Sequence, residues 1–168
     1  PIKLDKFSKQ NKIDRNKFII LLPGRLTYWK GQKIFIEAIK LFYERTDIPP
    51  FEAIILGSDQ GRNVYKKQLF DLVQQHRLNK IIKFIDHCEE MPVAYGIANL
   101  VCSCSYEPEA FGRISVESQS MQVPILASDI GGSKETIVKD KTGYLFYNKD
   151  PNALADSIVE IMQKDYNS

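Results

Sequence analysis

Apolar runs alternate with helical patterns along most of the chain. Apolar runs of five to seven residues predict strands at 17–22, 51–57, 81–85, 100–104, 124–128 and 143–147. Apolar residues that recur every three or four positions predict helices at 32–45, 63–76 and 152–164, with shorter helices at 91–98, from Ser133 and from near Gly112. Strands that are apolar throughout and separated by helices favour parallel pairing, with both faces of the sheet covered. The predicted fold class is α/β, a Rossmann-like parallel sheet of about six strands with helices on both faces.

The first seventeen residues do not follow this pattern. They hold six basic and two acidic side chains with little apolar periodicity. This composition predicts a linker over 1–17 that leads into a domain over 18–168. A basic patch that touches an anionic membrane surface is the alternative. Because the chain begins with Pro1 rather than methionine, we expect a fragment or a processed piece of a longer protein.

Length and charge narrow the possible functions. The 168 residues suit one domain of ordinary size. A net charge of +2 gives too weak a field to predict nucleic acid as a partner. The apolar stretches are far shorter than the roughly 20 residues of a membrane-spanning helix, and no signal peptide is visible at the amino end. We expect a soluble, cytoplasmic protein with a small or mildly anionic ligand.

The three cysteines, Cys88, Cys102 and Cys104, have two interpretations. Free, buried thiols in a reducing cytosol are the prediction, because the cysteine count is odd. A zinc site built from these residues and His87 is the alternative. The spacing matches no compact ligand pair of the CxxC type, which disfavours zinc.

The turns after the strands carry the candidate chemistry, since ligands of open parallel sheets bind beyond the carboxyl ends of the strands. The turn "PGRLTYWKG" (23–31) brings Arg25 and Lys30 to this edge beside the amino end of the next helix, an arrangement suited to a diphosphate. Solvated loop charges are the alternative. Trp29 either stacks on a base or, as we favour, anchors the turn. Lys30 is followed by Gly31 rather than Ser or Thr, unlike a nucleoside triphosphatase phosphate loop.

Two glutamates in "EAFGRISVE" (109–117) form the second candidate. In a continuous helix Glu109 and Glu117 would lie roughly 12 Å apart along the axis, too far to act as acid and base on one atom. They can hold two parts of one extended ligand, because a carboxylate accepts two hydroxyl hydrogen bonds, as a sugar or a ribose offers. Gly112 allows backbone amides to approach such a ligand. An ordinary helix charge is the alternative for Glu117.

These residues together resemble a known family. The chain is similar to the carboxy-terminal, donor-binding domain of the retaining family-four glycosyltransferases, which is one half of a GT-B fold. The resemblance covers nearly all of the chain and rests on "GRLTYWKG", on Glu109-Ala110-Phe111-Gly112 through Glu117, and on "SDIGGSKE" with "KTGYLF". The stretch "EPEAFGR" (107–113) also resembles bacterial enzymes that build lipopolysaccharide and capsule.

The resemblance implies a role for each residue. Arg25 and Lys30 would hold the diphosphate of a UDP or GDP sugar and stabilise the negative charge that grows on it as the glycosidic bond breaks. Glu109 would hold hydroxyls of the donor sugar, aided by the amides of Phe111 and Gly112. The other expected contacts of the substrate are Glu117 with the ribose, His87 and Cys88 with the base, and Gly24 and Gly57 in the turns that approach the nucleotide. Arg25, Lys30 and Glu109 are thus the expected catalytic residues.

The resemblance also implies what lies outside the chain. The acceptor site would belong to an amino-terminal domain that is missing here and that could touch the inner face of the cell membrane peripherally. The isolated domain is therefore expected to transfer nothing. No cofactor other than the nucleotide-sugar substrate and no metal are expected, since no Asp-x-Asp pair occurs. A non-catalytic nucleotide-binding module and a sugar-nucleotide epimerase of similar fold are the alternatives.

Three departures from the family pattern affect these expectations. Ser118 and Gln122 stand where alanine and glycine are usual, and Asp86 replaces a common glycine beside the base-binding turn. The departures leave the fold expectation unchanged and make the base harder to assign.

Overall fold

A computed structural model describes residues 2–166 of the protein. Pro1 and residues 167–168, at the outer ends of the predicted linker and domain, lie outside the described residues. The α-helices and strands of this range are α1 (Ile2–Gln10), β1 (Phe18–Pro23), α2 (Gln32–Tyr43), β2 (Phe51–Leu56), α3 (Asn63–Gln75), β3 (Ile82–Ile85), α4 (Met91–Ile97), β4 (Leu100–Ser103), α5 (Arg113–Ser120), β5 (Ile125–Ser128), α6 (Ser133–Thr136), β6 (Tyr144–Phe146) and α7 (Pro151–Tyr166). A short 3₁₀ helix (Tyr28–Lys30) lies between β1 and α2.

The six strands form one parallel sheet in the order β3-β2-β1-β4-β5-β6. Each predicted strand is present, and its ends lie within one residue of the predicted ends. From β1 the chain first adds strands on one side and then, from β4, on the other. The reversal leaves a crevice at the carboxyl ends of β1 and β4, the place where sheets of this kind bind ligands.

Helices cover both faces of the sheet, as predicted. Alternate residues of β1 point to opposite faces: Ile20 and Leu22 belong to a core with α2, α3 and α7, and Ile19 and Leu21 belong to a core with α4. Burial on both faces explains why the strands read as continuous apolar runs.

The structure corrects the expectation for the amino-terminal segment. Residues 2–10 form α1, which packs against α4. Leu4 and Phe7, one helical turn apart, pack against the core beside α4. Gly96 on α4 favours this close approach, because a Cβ there would lie 3.0 Å from Leu4 Cδ2. Two apolar residues form a stripe too short to be recognised among six basic side chains.

A buried glutamate ties the next part of the same segment to the sheet. The Glu52 side chain on β2 is 4% exposed and accepts from Lys17 Nζ at 3.1 Å and from Lys83 Nζ at 2.9 Å. The backbone amide of Asp14 also donates to it. A buried carboxylate requires such partners, so residues 14–17 are fixed to β2.

None of the helices within residues 2–166 is long and apolar enough to cross a membrane.

Candidate functional site

A cleft of 780 Å³ opens at the carboxyl edge of the sheet, beyond the ends of β1 and β4. Its walls come from the turns after β1, β2, β3 and β4 and from α4 and α5. A cleft of this size suits a small-molecule ligand. It is lined by eight of the ten predicted site residues: Gly24, Arg25, Lys30, Gly57, His87, Cys88, Glu109 and Glu117.

The other two predicted residues, Phe111 and Gly112, do not belong to the lining. The Phe111 side chain is 62% exposed. Gly112 precedes α5 with a φ of +65° and packs on the turn of Gly132, whose backbone carbon would lie 3.3 Å from a Cβ. Gly112 therefore allows this loop to bend and pack closely, and its observed contact is with the protein itself.

The turns after β1 and β2 pack backbone against backbone. A Cβ on Gly57 would lie 1.8 Å from the carbonyl oxygen of Gly24, and Gly24 itself has a φ of +142°. The amide of Leu26 donates to the Ser58 carbonyl at 3.0 Å. These contacts place the backbone of the Arg25 turn beside the end of β2, and Gln32 Nε2 holds the Arg25 carbonyl at 2.9 Å.

An ion pair between two residues that line the cleft joins the turn after β1 to the turn after β4. Lys30 Nζ lies 2.6 Å from Glu109 Oε1, and the two side chains are 13% and 20% exposed. The Ser105 hydroxyl donates to the same carboxylate oxygen. Lys30 Nζ also lies 4.7 Å from the centre of the Trp29 ring, a cation–π distance. Two predicted catalytic residues thus meet directly.

Gly131 and Gly132, in the turn after β5, pack against the backbone of Glu109. The Gly132 amide donates to the Glu109 carbonyl at 2.7 Å, and a Cβ on Gly131 would lie 2.8 Å from the Glu109 backbone. On the other side, the Tyr106 amide donates to the Trp29 carbonyl at 2.7 Å. Trp29 therefore anchors its turn through its backbone while it also lines the cleft.

Glu117 lies in the cleft rather than on an outer helix face. Tyr95 Oη donates to Glu117 Oε2 at 2.7 Å, and Arg113 lies 3.4 Å from Oε1. Tyr95 is 1% exposed, and burial with the hydrogen bond to Glu117 raises the pKa of its phenol. Tyr95 therefore stays a neutral donor that orients the Glu117 carboxylate.

The turn after β3 forms the far wall of the cleft. Asp86, His87 and Cys88 all line it, and the Cys88 thiol donates to the Glu90 carbonyl at 3.2 Å. The Asp86 carboxylate pairs with Lys66 Nζ at 2.6 Å. This wall therefore consists of a carboxylate, an imidazole and a thiol residue.

The zinc alternative has no ligand set in the structure. Cys102 and Cys104 are buried free thiols, as predicted, in the core beside α2, and Cys88 is a half-buried free thiol. His87 and Cys88 line the cleft instead. Within residues 2–166, no three His, Cys, Asp or Glu side chains are arranged to hold a metal ion.

Sequence reasoning missed two hydroxyl groups, those of Ser105 and Tyr95. Ser105 lies in the turn after β4 where function is expected, so its position was a usable signal. Tyr95 lies in "MPVAYGIA", and an aromatic residue in a short apolar helix is typical of a core position rather than of a functional site. Its role depends on a partner 22 residues later, on α5.

Residues 4–168 match the family model described as glycosyl transferases group 1. The chain belongs to this family. Among curated relatives of this group 1 domain, D-inositol 3-phosphate glycosyltransferase of Corynebacterium glutamicum (strain R) is 26% identical over 149 residues. That alignment covers 88% of the chain and 35% of the relative, so the chain spans about a third of that protein.

Solved structures resemble the group 1 domain closely. A glycosyltransferase from Rickettsia africae ESF-5 matches 97% of the chain and 42% of its own length, with a TM-score of 0.90 and 31% identity. Anabaena Alr3699/HepE in complex with UDP-glucose matches 99% of the chain and 44% of its own length, with a TM-score of 0.88 and 28% identity. These likenesses confirm the predicted fold class, a Rossmann-like sheet of the kind found in GT-B glycosyltransferases.

Proposed function

We propose that this domain binds the nucleotide-sugar donor of a retaining, metal-independent glycosyltransferase. The observation that carries the proposal is the convergence of Arg25, Lys30, Glu109 and Glu117 on one cleft where the strand order reverses. Two cations and two carboxylates there match the groups of a nucleotide-diphosphate sugar, which carries a dianionic diphosphate and two sets of sugar hydroxyls.

The cations would act on the leaving group. Arg25 and Lys30 would hold the diphosphate, and the amino end of α5 faces the same cleft through Arg113 and Ile114. As the bond between the sugar and the diphosphate breaks, negative charge grows on the diphosphate oxygen. Fixed positive charge stabilises that charge more than it stabilises the intact donor, which lowers the barrier.

The carboxylates would hold the two sugars of the donor. Glu109 lies beside Lys30, so hydroxyls of the transferred sugar would donate to it next to the diphosphate. Glu117, held by Tyr95, would accept from the ribose hydroxyls. His87 and Cys88 would border the base beyond the ribose. Uracil or guanine is the proposed base, and the complex of Alr3699/HepE with UDP-glucose supports a uridine nucleotide.

The complete enzyme would transfer the sugar to a glycan or to a lipid-linked acceptor during bacterial surface polysaccharide synthesis. A second, amino-terminal domain would supply the acceptor site and any contact with the cytoplasmic membrane. The chain spans 42% of the Rickettsia protein and 44% of the Anabaena protein, which is consistent with a further domain in those proteins. We expect the chain by itself to bind donor nucleotide weakly and to show no transfer.

The single tryptophan of the chain, Trp29, lines the cleft and provides a direct test. Titration with UDP, GDP or ADP should change its fluorescence saturably for the correct nucleotide. Arg25→Ala should weaken this binding about tenfold or more, because it removes charge-assisted hydrogen bonds to phosphate. Arg45→Ala is the matched control, since Arg45 pairs with exposed Asp156 away from the cleft.

Glu117→Ala separates the ribose contact from the phosphate contact. It should weaken binding of a ribonucleoside diphosphate more than binding of the 2′-deoxy analogue, whereas Arg25→Ala should weaken both equally. No saturable change with any of the three nucleotides at millimolar concentration would overturn the proposal.

A further inference from the structure

The Glu109 carboxylate receives two hydrogen bonds on one of its oxygens. Lys30 Nζ and the Ser105 hydroxyl both donate to Oε1, and no hydrogen bond to Oε2 is formed within residues 2–166. Two donors that converge on Oε1 restrain the position of this end of the carboxylate. Oε2 then keeps its lone pairs for hydroxyl donors in the cleft.

We propose that Ser105 is a positioning residue that holds Glu109 in the orientation that binds the donor sugar. The inference rests on the proposed function and deepens it, because it assigns a task to a buried group that contacts no part of the proposed donor. Ser105 is 5% exposed and does not belong to the cleft lining. Its hydroxyl therefore acts on the ligand only through Glu109.

Glu109 and the proposed diphosphate compete for Lys30, so Glu109 needs Ser105 as a second hydrogen-bond donor. In the structure Lys30 pairs with Glu109, but the proposed function also requires Lys30 to hold the diphosphate. When a diphosphate with two negative charges enters, it competes with Glu109 for the ammonium group. Ser105 has no such second task, so its hydrogen bond keeps the carboxylate in place while Lys30 turns toward the phosphate.

The backbone around Ser105 is fixed well enough for this task. A Cβ on Gly31 would lie 1.9 Å from the carbonyl oxygen of Cys104, so the turn after β1 packs directly on the residue before Ser105. The next residue, Tyr106, donates its amide to Trp29. The Glu109 backbone is held separately by the Gly132 amide. Both partners of the hydrogen bond therefore start from fixed backbone positions.

The test compares bare nucleotides with nucleotide sugars. Dissociation constants for UDP, GDP and ADP, and for UDP-glucose, UDP-galactose, GDP-mannose and ADP-glucose, are measured by Trp29 fluorescence on the 168-residue chain. Ser105→Ala should leave the affinity for the bare nucleotide unchanged and weaken the affinity for its sugar conjugate about tenfold, the worth of a hydrogen bond to a charged group. Ser105→Thr, which retains the hydroxyl, should restore sugar binding.

Ser103→Ala is the matched control. Ser103 is a buried serine two residues earlier, on β4, and its substitution should leave both affinities unchanged. If Ser105→Ala does not fold, as judged by circular dichroism, Ser105→Cys takes its place, because a thiol is similar in size and a weaker donor.

The possible results separate this inference from the proposed function. Equal weakening of nucleotide and nucleotide sugar, or no weakening of either, would overturn the positioning role of Ser105. So would a wild-type chain that binds a nucleotide but gains nothing from any attached sugar, which would leave nucleotide binding intact. A wild-type chain that binds no nucleotide would overturn the proposed function itself.

Discussion

Gly57 shows how strictly single residues shape the cleft. The turns after β1 and β2 approach until backbone meets backbone, and a side chain at position 57 has no space, since its Cβ would lie 1.8 Å from the Gly24 carbonyl oxygen. The neighbour is backbone and cannot rotate away. Any larger residue must push the Arg25 turn outward.

We therefore predict that Gly57→Ala lowers the free energy of unfolding by about 1–3 kcal/mol, the usual cost of overpacking, and also weakens nucleotide binding. Gly61→Ala is the comparison, because Gly61 has a φ of +82° but open space around its Cβ. It should cost about 1 kcal/mol in backbone strain and leave binding unchanged. Urea denaturation and Trp29 fluorescence titration measure the two effects. Equal loss of binding in the two variants would contradict this account.

Arg25, Lys30 and Glu109 could be predicted from the sequence, whereas the contacts that orient the glutamates of the cleft could not. Arg25, Lys30 and Glu109 lie in the turns that follow apolar strands, so strand pattern and sheet geometry place them at one edge. Ser105 and Tyr95 act through contacts to Glu109 and Glu117. The sequence spacing of a serine or a tyrosine does not reveal which carboxylate its hydroxyl contacts. The folded structure is needed to identify these two hydrogen bonds.

At the scale of elements, burial decides what could be predicted. The β1 and β2 strands are buried at every position, and such strands show as unbroken apolar runs. Helix α1 buries only a narrow stripe around Leu4 and Phe7, and its lysines hide the pattern. Its stability comes from contact with α4 rather than from its own sequence.

Leu4→Asp tests this dependence. It should detach α1 from α4 and lower the free energy of unfolding by about 1–2 kcal/mol, the worth of a partly buried leucine. Ile2→Asp places the same charge on the same helix at a side chain that is 84% exposed, so it should have little effect. Hydrogen exchange of the α1 amides should accelerate only in Leu4→Asp. Equal exchange in the two variants would show that α1 does not need this contact.

The whole molecule joins two halves of a sheet at one cleft, and each half contributes a different part of the site. The β1 and β2 turns bring the cations and close backbone, and the β4 turn with α5 brings the carboxylates. The strands between them must stay rigid for these groups to meet. The site therefore depends on the stability of these strands, and that stability changes with pH.

Burial raises the pKa of the Cys102 and Cys104 thiols in this core above the ordinary thiol value of 9.0. Above pH 9 the thiols ionise in the unfolded chain but stay protonated in the folded one, so unfolding releases protons. This stability is present below pH 9 and is lost as pH rises, with a slope that approaches about 1.4 kcal/mol per pH unit for each thiol once the unfolded thiol is fully ionised. Cys102→Ala should make the fall of stability between pH 9 and 10 shallower in urea denaturation, because one of the two thiols no longer contributes, whereas Val101→Ala, its neighbour on β4, should lower stability and keep the slope. An unchanged slope in Cys102→Ala would mean that its thiol ionises equally in the folded and the unfolded protein, which would contradict this account.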